Sequence, residues 1–231
     1  MGDALSLDHD TVAAQTATVV ADTPRSQWLA RRKRGWGASE VPALLLAYST
    51  RDDEWRTAYK KHQHLAEHGR HGVPRVIARK AGLAAHDRQT GGGEREAELI
   101  RRWGDESALV VRTAVDMDIG ELFPLHDPEC VRLLCTPDGW CRGPSDELMA
   151  VEAKCLPGNP PAECPWFWRA QVQSQLAVQG LDAGFLVCGP GWVLGSNEQP
   201  ISWLIERDEQ EIARIRDVCV RAWADVERVK Q

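Results

Sequence analysis

The sequence predicts an α/β protein: a mixed central β-sheet flanked by helices. Three observations carry that expectation. The chain has 231 residues, enough to bury a proper core in one domain. Its periodic segments run from helices into three strands, then a helix, two strands and a last helix, the order of a layered α/β architecture. Its longest apolar stretch, Val41 to Tyr48, falls far short of the roughly 20 residues a membrane span requires.

The elements follow in chain order. Residues 1–23 are rich in Ala, Thr, Val and Asp without a sustained period, so they read as a mobile tail, and 24–231 as a single domain. A helical pattern begins at Ser26 and breaks at Gly35-Trp36-Gly37. Ser39 reads as the N-cap of a short helix over 40–47, with Pro42 tolerated in the first turn. Residues 52–67 read as another helix, and 68–93, which close in three glycines, mostly as loop. Residues 94–103 form a helix whose apolar positions are Ala97, Leu99, Ile100 and Trp103. Residues 110–119 alternate and are β-branched, which predicts a strand. Two further strands, 131–135 and 148–155, are joined around Arg142-Gly143-Pro144-Ser145. A helix over 166–179, strands over 184–188 and 201–206, and a helix over 208–229 complete the chain. The last stacks Ile212, Ile215, Cys219, Ala222 and Val226 on one stripe.

Net charge is −6, which on its face argues against a polyanion as ligand. Location changes that reading. Residues 25–81 hold thirteen Lys/Arg against five Asp/Glu, a local +8, which leaves −14 on the rest. The ordinary reading of such runs is a solvated helix face. The N-terminus has acidic residues and no basic segment before an apolar one, so it does not read as a secretory signal. A cytoplasmic protein with its seven cysteines mostly reduced is expected.

The chemistry concentrates in Cys135-Thr-Pro-Asp-Gly-Trp140 and Val151-Glu-Ala-Lys154. If 131–138 and 148–155 pair as strands, Asp138 and Glu152 converge at one end. Glu152 and Lys154 are i, i+2 and share a face. Two carboxylates beside one lysine suit a hard divalent cation such as Mg²⁺. The bland alternative is an Asp-Gly turn and a Glu–Lys surface pair. A third carboxylate is available among Glu94, Glu96 and Glu98, and Gln171 and Gln175 share a helical face at i, i+4. Amides there can contact phosphate or orient water.

These residues resemble the phage lambda exonuclease-like group, also called YqaJ-like viral recombinase nucleases, of the PD-(D/E)XK superfamily. The resemblance spans about residues 26–190. It rests on four ordered blocks: Trp28-Leu-Ala-Arg31-Arg32 with Gly37-Ala-Ser39-Glu40-Val41; Gly92-x₃-Glu96; Pro137-Asp138-Gly139 with Glu152-Ala-Lys154-Cys155; and Trp168-Arg-Ala170-Gln171-Val172-Gln173. It implies a restriction-endonuclease-like core and a Mg²⁺-dependent exonuclease on linear double-stranded DNA, with Mn²⁺ able to substitute. Digestion would run 5′ to 3′ and leave single-stranded tails for recombination. It further implies that Asp138, Glu152 and Glu96 hold the metal while Lys154 positions or activates water. Arg32, Ser39 and Gln171, with Ser145 and Gln175 beside them, would grip DNA and its 5′-phosphate. A homotrimer and a single-strand annealing protein as partner are also implied, with no role for a membrane. The linker between Lys154 and Ala170 is short for the family, which bears on how DNA would thread the site.

Two other classes compete: an endonuclease or nickase of the same superfamily, and a catalytically silent DNA-binding module. The remaining clusters read as structural. His62, His64, His68 and His71 lack a rigid scaffold for a metal. Cys130, Cys135, Cys141, Cys155 and Cys164 lack the tight spacing of an iron–sulfur site and are expected to be buried free thiols. Trp166 and Trp168 could stack on a base, but helix packing explains them equally well.

Overall fold

The computed structural model describes residues 33–48, 72–82, 93–114, 126–156, 159–190 and 199–231. The expected tail, Arg32, the helix expected over 52–67 and the four clustered histidines lie outside them. The described chain begins with β1 (Trp36–Gly37), a 3₁₀ turn (Ala38–Glu40) and helix α1 (Val41–Tyr48). Then come α2 (Val73–Ala81), α3 (Gly93–Ser107), β2 (Val111–Thr113), β3 (Leu133–Leu134), β4 (Gly139–Arg142) and β5 (Leu148–Leu156). Last are α4 (Trp166–Gln179), β6 (Ala183–Pro190), β7 (Ile201–Glu206) and α5 (Glu209–Lys230). No helix among them is long and apolar enough to cross a membrane.

The central sheet has the order β2-β4-β5-β6-β7. Among its described strands only β5 and β6 run parallel, with Glu152 opposite Leu186 and Lys154 opposite Cys188. A parallel pair needs a crossover, and α4 supplies it. The period-2 alternation of β5 sends its side chains to two layers. Val151 and Ala153 pack with Val187 beneath Leu99, Ile100 and Trp103 of α3. Ala150 packs with Leu186 and Ile205 beneath Val172 and Leu176 of α4. A further core joins α1, α2 and α5 around Trp36, whose indole donates to the Cys219 carbonyl at 2.8 Å. Because α4 contributes to both of these last layers, Ala170 to Val178 is buried on every side. This is the mixed α/β sheet expected.

Three elements depart from expectation. Residues 73–81 form a helix, not a loop. Gly72 and Pro74 open it, and Gly82, at φ 85°, closes it in the left-handed region. The strand expected over 131–135 shrinks to Leu133–Leu134, which pairs with β1 rather than with β5. The true partner of β5 is Gly139–Arg142. Ser39 is no helix cap: it lies inside the 3₁₀ turn, where Glu40 accepts the Gly37 N–H at 2.9 Å.

Candidate active site

The corrected pairing still delivers the acidic residues to one place. The ladder between β4 and β5 ends at Gly139 opposite Val151. One step beyond, the Asp138 side chain takes over from the backbone, its Oδ2 accepting the Ala153 N–H at 2.9 Å. Its carbonyl accepts the Ala114 N–H at 2.7 Å, tying the same residue to the end of β2. Gly139 is required by close approach: a Cβ there would lie 2.7 Å from the Arg112 carbonyl oxygen and 3.1 Å from Ile100 Cδ1. Asp138 is thus held at the sheet end by backbone on two sides.

Glu152 is buried, at 7% exposure, on the α4 face of β5. Lys154, two residues on, shares that face as the strand period requires, and its Nζ donates to Glu152 Oε1. Glu96 approaches from α3. Its carboxyl is pushed above the ordinary range first by burial and then by the Glu152 charge, against the opposing pull of Lys154. Asp138 is raised well above that range by burial, by Glu152 and by Glu96. Burial alone would lower Lys154, but the carboxylates of Glu152, Asp138 and Glu96 outweigh it and keep the ammonium above its usual value. Glu94 is exposed, and Glu98 pairs with Arg101 at 3.6 Å on the helix surface. Of the three alternating glutamates, Glu96 is the one that faces the sheet end.

Three carboxylates facing one ammonium leave an excess of negative charge in a poorly hydrated place. An all-oxygen acidic donor set of this kind suits Mg²⁺ or Mn²⁺, which favour carboxylates and water. In chemistry, Asp138, Glu152 and Glu96 fit such an ion. Among the described residues, no three His, Cys, Asp or Glu side chains are closed into a metal cluster, and the Glu152 corner is taken by Lys154.

The glutamine-rich run of α4 divides by face. Gln175 is 1% exposed, and its Nε2 donates to Glu152 Oε2, so it reaches the carboxylate from inside the core rather than from the surface. Its Oε1 has no hydrogen-bond partner, nor has Oε1 of the nearly buried Gln171. An unsatisfied buried acceptor costs about 1–3 kcal/mol. Gln173, between them, is fully buried and does something else. It donates to the Glu206 carbonyl at 2.7 Å and accepts the Asp208 N–H at 3.0 Å, pinning α4 to the turn between β7 and α5. Its role is invisible in sequence, where the three amides look alike.

No family model matches the chain, and no curated protein does. Solved structures do. An alkaline exonuclease from Laribacter hongkongensis superposes with a TM-score of 0.57 at 21% identity, covering 88% of this chain and 93% of that one. The same enzyme in complex with dAMP gives 0.53 at 20% identity, covering 87% and 93%. A phage-related exonuclease from Haemophilus somnus 129PT gives 0.52 at 12% identity, covering 81% and 93%. The chain has the fold of these exonucleases.

Within the exonuclease fold, the other expected DNA-contacting residues separate. The 3₁₀ turn carrying Ser39 packs on α4, the helix that carries Gln171. Ser145 does not join them. It lies in the exposed turn at the opposite end of the β4–β5 hairpin, where its N–H donates to Glu147. Residues 147–151 separate that turn from Glu152, a distance of about 17 Å along extended chain. Not every base of the +8 segment is at the surface either. Arg79 and Lys80 are buried, reaching the buried Glu40 at 3.7 and 3.0 Å. All seven cysteines are free thiols, five of them buried. Trp166 and Trp168 pack against the cores on either side of α4.

Proposed function

We propose that this chain is a metal-dependent deoxyribonuclease that digests linear duplex DNA from its ends. The observation that carries the reading is the convergence of Asp138, Glu152, Lys154 and Glu96 at one end of the sheet, in a fold shared with alkaline and phage-related exonucleases. Asp138, Glu152 and Glu96 would hold a Mg²⁺ or Mn²⁺ ion. Such an ion, when bound, acidifies water and neutralises charge on phosphate oxygens. Lys154 enters as an ammonium, a donor rather than a base, so its part is to orient water and to stabilise charge that develops on the phosphoryl oxygens. Ser39, Arg32 and Gln171 would receive the strand end. The exposed Lys33 and Arg34 lie on the segment that leads into β1 and the turn carrying Ser39. A neighbouring fold solved with dAMP supports a nucleotide product as the thing released.

The test is digestion of linear duplex bearing 5′-phosphate or 5′-hydroxyl ends, beside a closed circle. An end-dependent enzyme consumes the linear molecules in Mg²⁺ and leaves the circle intact; a relaxed circle would assign an endonuclease instead. Lys154→Ala and Glu152→Ala should each lower the rate by at least about 10²-fold, since each removes a group acting on the reacting phosphate. Full activity in either folded variant sinks the site. The homotrimer and the annealing-protein partner belong to the same proposal, and light scattering of the purified chain measures the first.

A further inference from the structure

We propose that Gln175 is a positioning residue for Glu152: it fixes one carboxylate oxygen from the protein interior so that the other is presented to the cation. The inference rests on the reading of Glu152 as a metal ligand and adds the device that aims it. The two oxygens of Glu152 are held by different kinds of group. Oε1 is met by Lys154, a long flexible chain, 19% exposed at its side chain. Oε2 is met by the Gln175 amide, 1% exposed and carried on a helix buried on every side from Ala170 to Val178. The first partner can swing away from its oxygen; the second cannot. When the ammonium moves, the carboxylate keeps its plane, and Oε1 is the corner that opens.

The orphaned atom supports this. Gln175 Oε1 is buried and makes no hydrogen bond, so the bond of Nε2 to the Glu152 carboxylate is what aims the amide. Turning the amide over would set its carbonyl against Glu152. A residue retained only for packing at this position would be apolar, as its neighbours Val172 and Leu176 on the sheet-facing side of α4 are. The bond to Glu152, made inside the core, sets the role of Gln175 apart from DNA contact. A side chain with no surface cannot touch a phosphate backbone, so its loss should register in metal binding and not in DNA binding.

The experiment uses the full chain, with Gln175→Met removing the amide at nearly constant volume and Gln175→Asn retracting it by one methylene. Calorimetric titration with Mn²⁺ alone reads the site without turnover. Partners that orient a ligand are worth about 10- to 100-fold in metal affinity, and that loss is expected for Gln175→Met, with a smaller one for Gln175→Asn. On linear duplex, saturating Mn²⁺ should restore kcat in both variants while KM for DNA stays within about twofold of the parent. Unchanged Mn²⁺ affinity, or a defect confined to KM for DNA, overturns the assignment. If Gln175→Met does not fold, Gln175→Asn decides by the same two readings. A parent protein that binds no Mn²⁺ overturns the metal site itself. Binding in the parent that is unchanged in both variants overturns only the role of Gln175.

Discussion

At the scale of single residues, helical periodicity holds more than the alternation Glu94, Glu96, Glu98 suggests. Glu94 and Glu98 are i, i+4 and share a face, whereas Glu96 lies i−3, i−4 and i−7 from Leu99, Ile100 and Trp103. Those three are the buried stripe of α3, so the stripe itself points Glu96 at the sheet. Other roles leave no such trace. Gln173 and Gln175 differ only in which way α4 turns them, and Ser145 matches a loose motif but sits at the wrong end of a hairpin. Near α4, Glu211 offers a test of how burial sets charge. It is 3% exposed, paired through Oε2 with Arg169 at 2.9 Å, and its Oε1 is unsatisfied. Burial, opposed by Arg169, raises its carboxyl above the ordinary 4.5. The folded state therefore binds the proton more tightly than the unfolded one. Its contribution to stability is full below about pH 4.5 and declines as pH rises through the folded value. Glu211→Gln should remove that decline, so the difference in Tm between variant and parent grows in the variant's favour as pH rises. A difference that stays constant between about pH 4 and 8 would refute the assignment.

At the scale of elements, long periodic segments were legible and punctuation was not. The α4 and α5 helices and β7 fall where their patterns put them, because 14 and 22 residues of consistent period leave little ambiguity. Residues 73–81 carry as much periodicity, but Gly72, Pro74 and Gly82 make the segment look like a loop when they are its start and stop. The error over 131–142 has a different cause. Leu133 and Leu134 are apolar enough for a central strand, yet the chain turns between Asp127 and Leu133, where Asp127 is fully buried against Arg216 at 2.7 Å. The strand that completes the sheet is Gly-Trp-Cys-Arg, whose glycine advertises a turn. That glycine is instead an accommodation to the Arg112 carbonyl. Gly139→Ala must displace backbone rather than a flexible side chain, so a loss of about 1–3 kcal/mol is expected in urea unfolding. Because Asp138 is the preceding residue, Mg²⁺-dependent digestion should fall at temperatures where the variant is still folded. Parental stability together with parental activity would show that the β2–β4 contact is not what holds Asp138.

At the scale of the whole molecule, the net −6 hides two kinds of charge with different work to do. Some of the acid is the candidate site, and some of the base is internal. Glu40 draws Arg79 and Lys80 into the core beside Trp36, with the Lys80 ammonium 5.8 Å from the indole ring. Counting charges along the sequence cannot separate these from Lys33 and Arg34, which are exposed on the segment leading into β1 and the turn bearing Ser39. The difference has a measurable consequence. An exposed base that meets a phosphate releases a counterion on binding, whereas a base already paired in the interior does not. With Ca²⁺ replacing Mg²⁺ to hold back hydrolysis, anisotropy of a labelled linear duplex gives log K against log salt. Lys33→Gln and Arg34→Gln should each reduce the magnitude of that slope by roughly 1. Lys80→Gln should leave the slope alone and lower stability instead, because it strips the buried Glu40 of the cation at 3.0 Å. A slope untouched by the double change at Lys33 and Arg34 would move the DNA path away from the N-terminal segment. A slope reduced by Lys80→Gln at parental stability would mean that α2 opens to bind, with Lys80 exchanging Glu40 for the phosphate backbone.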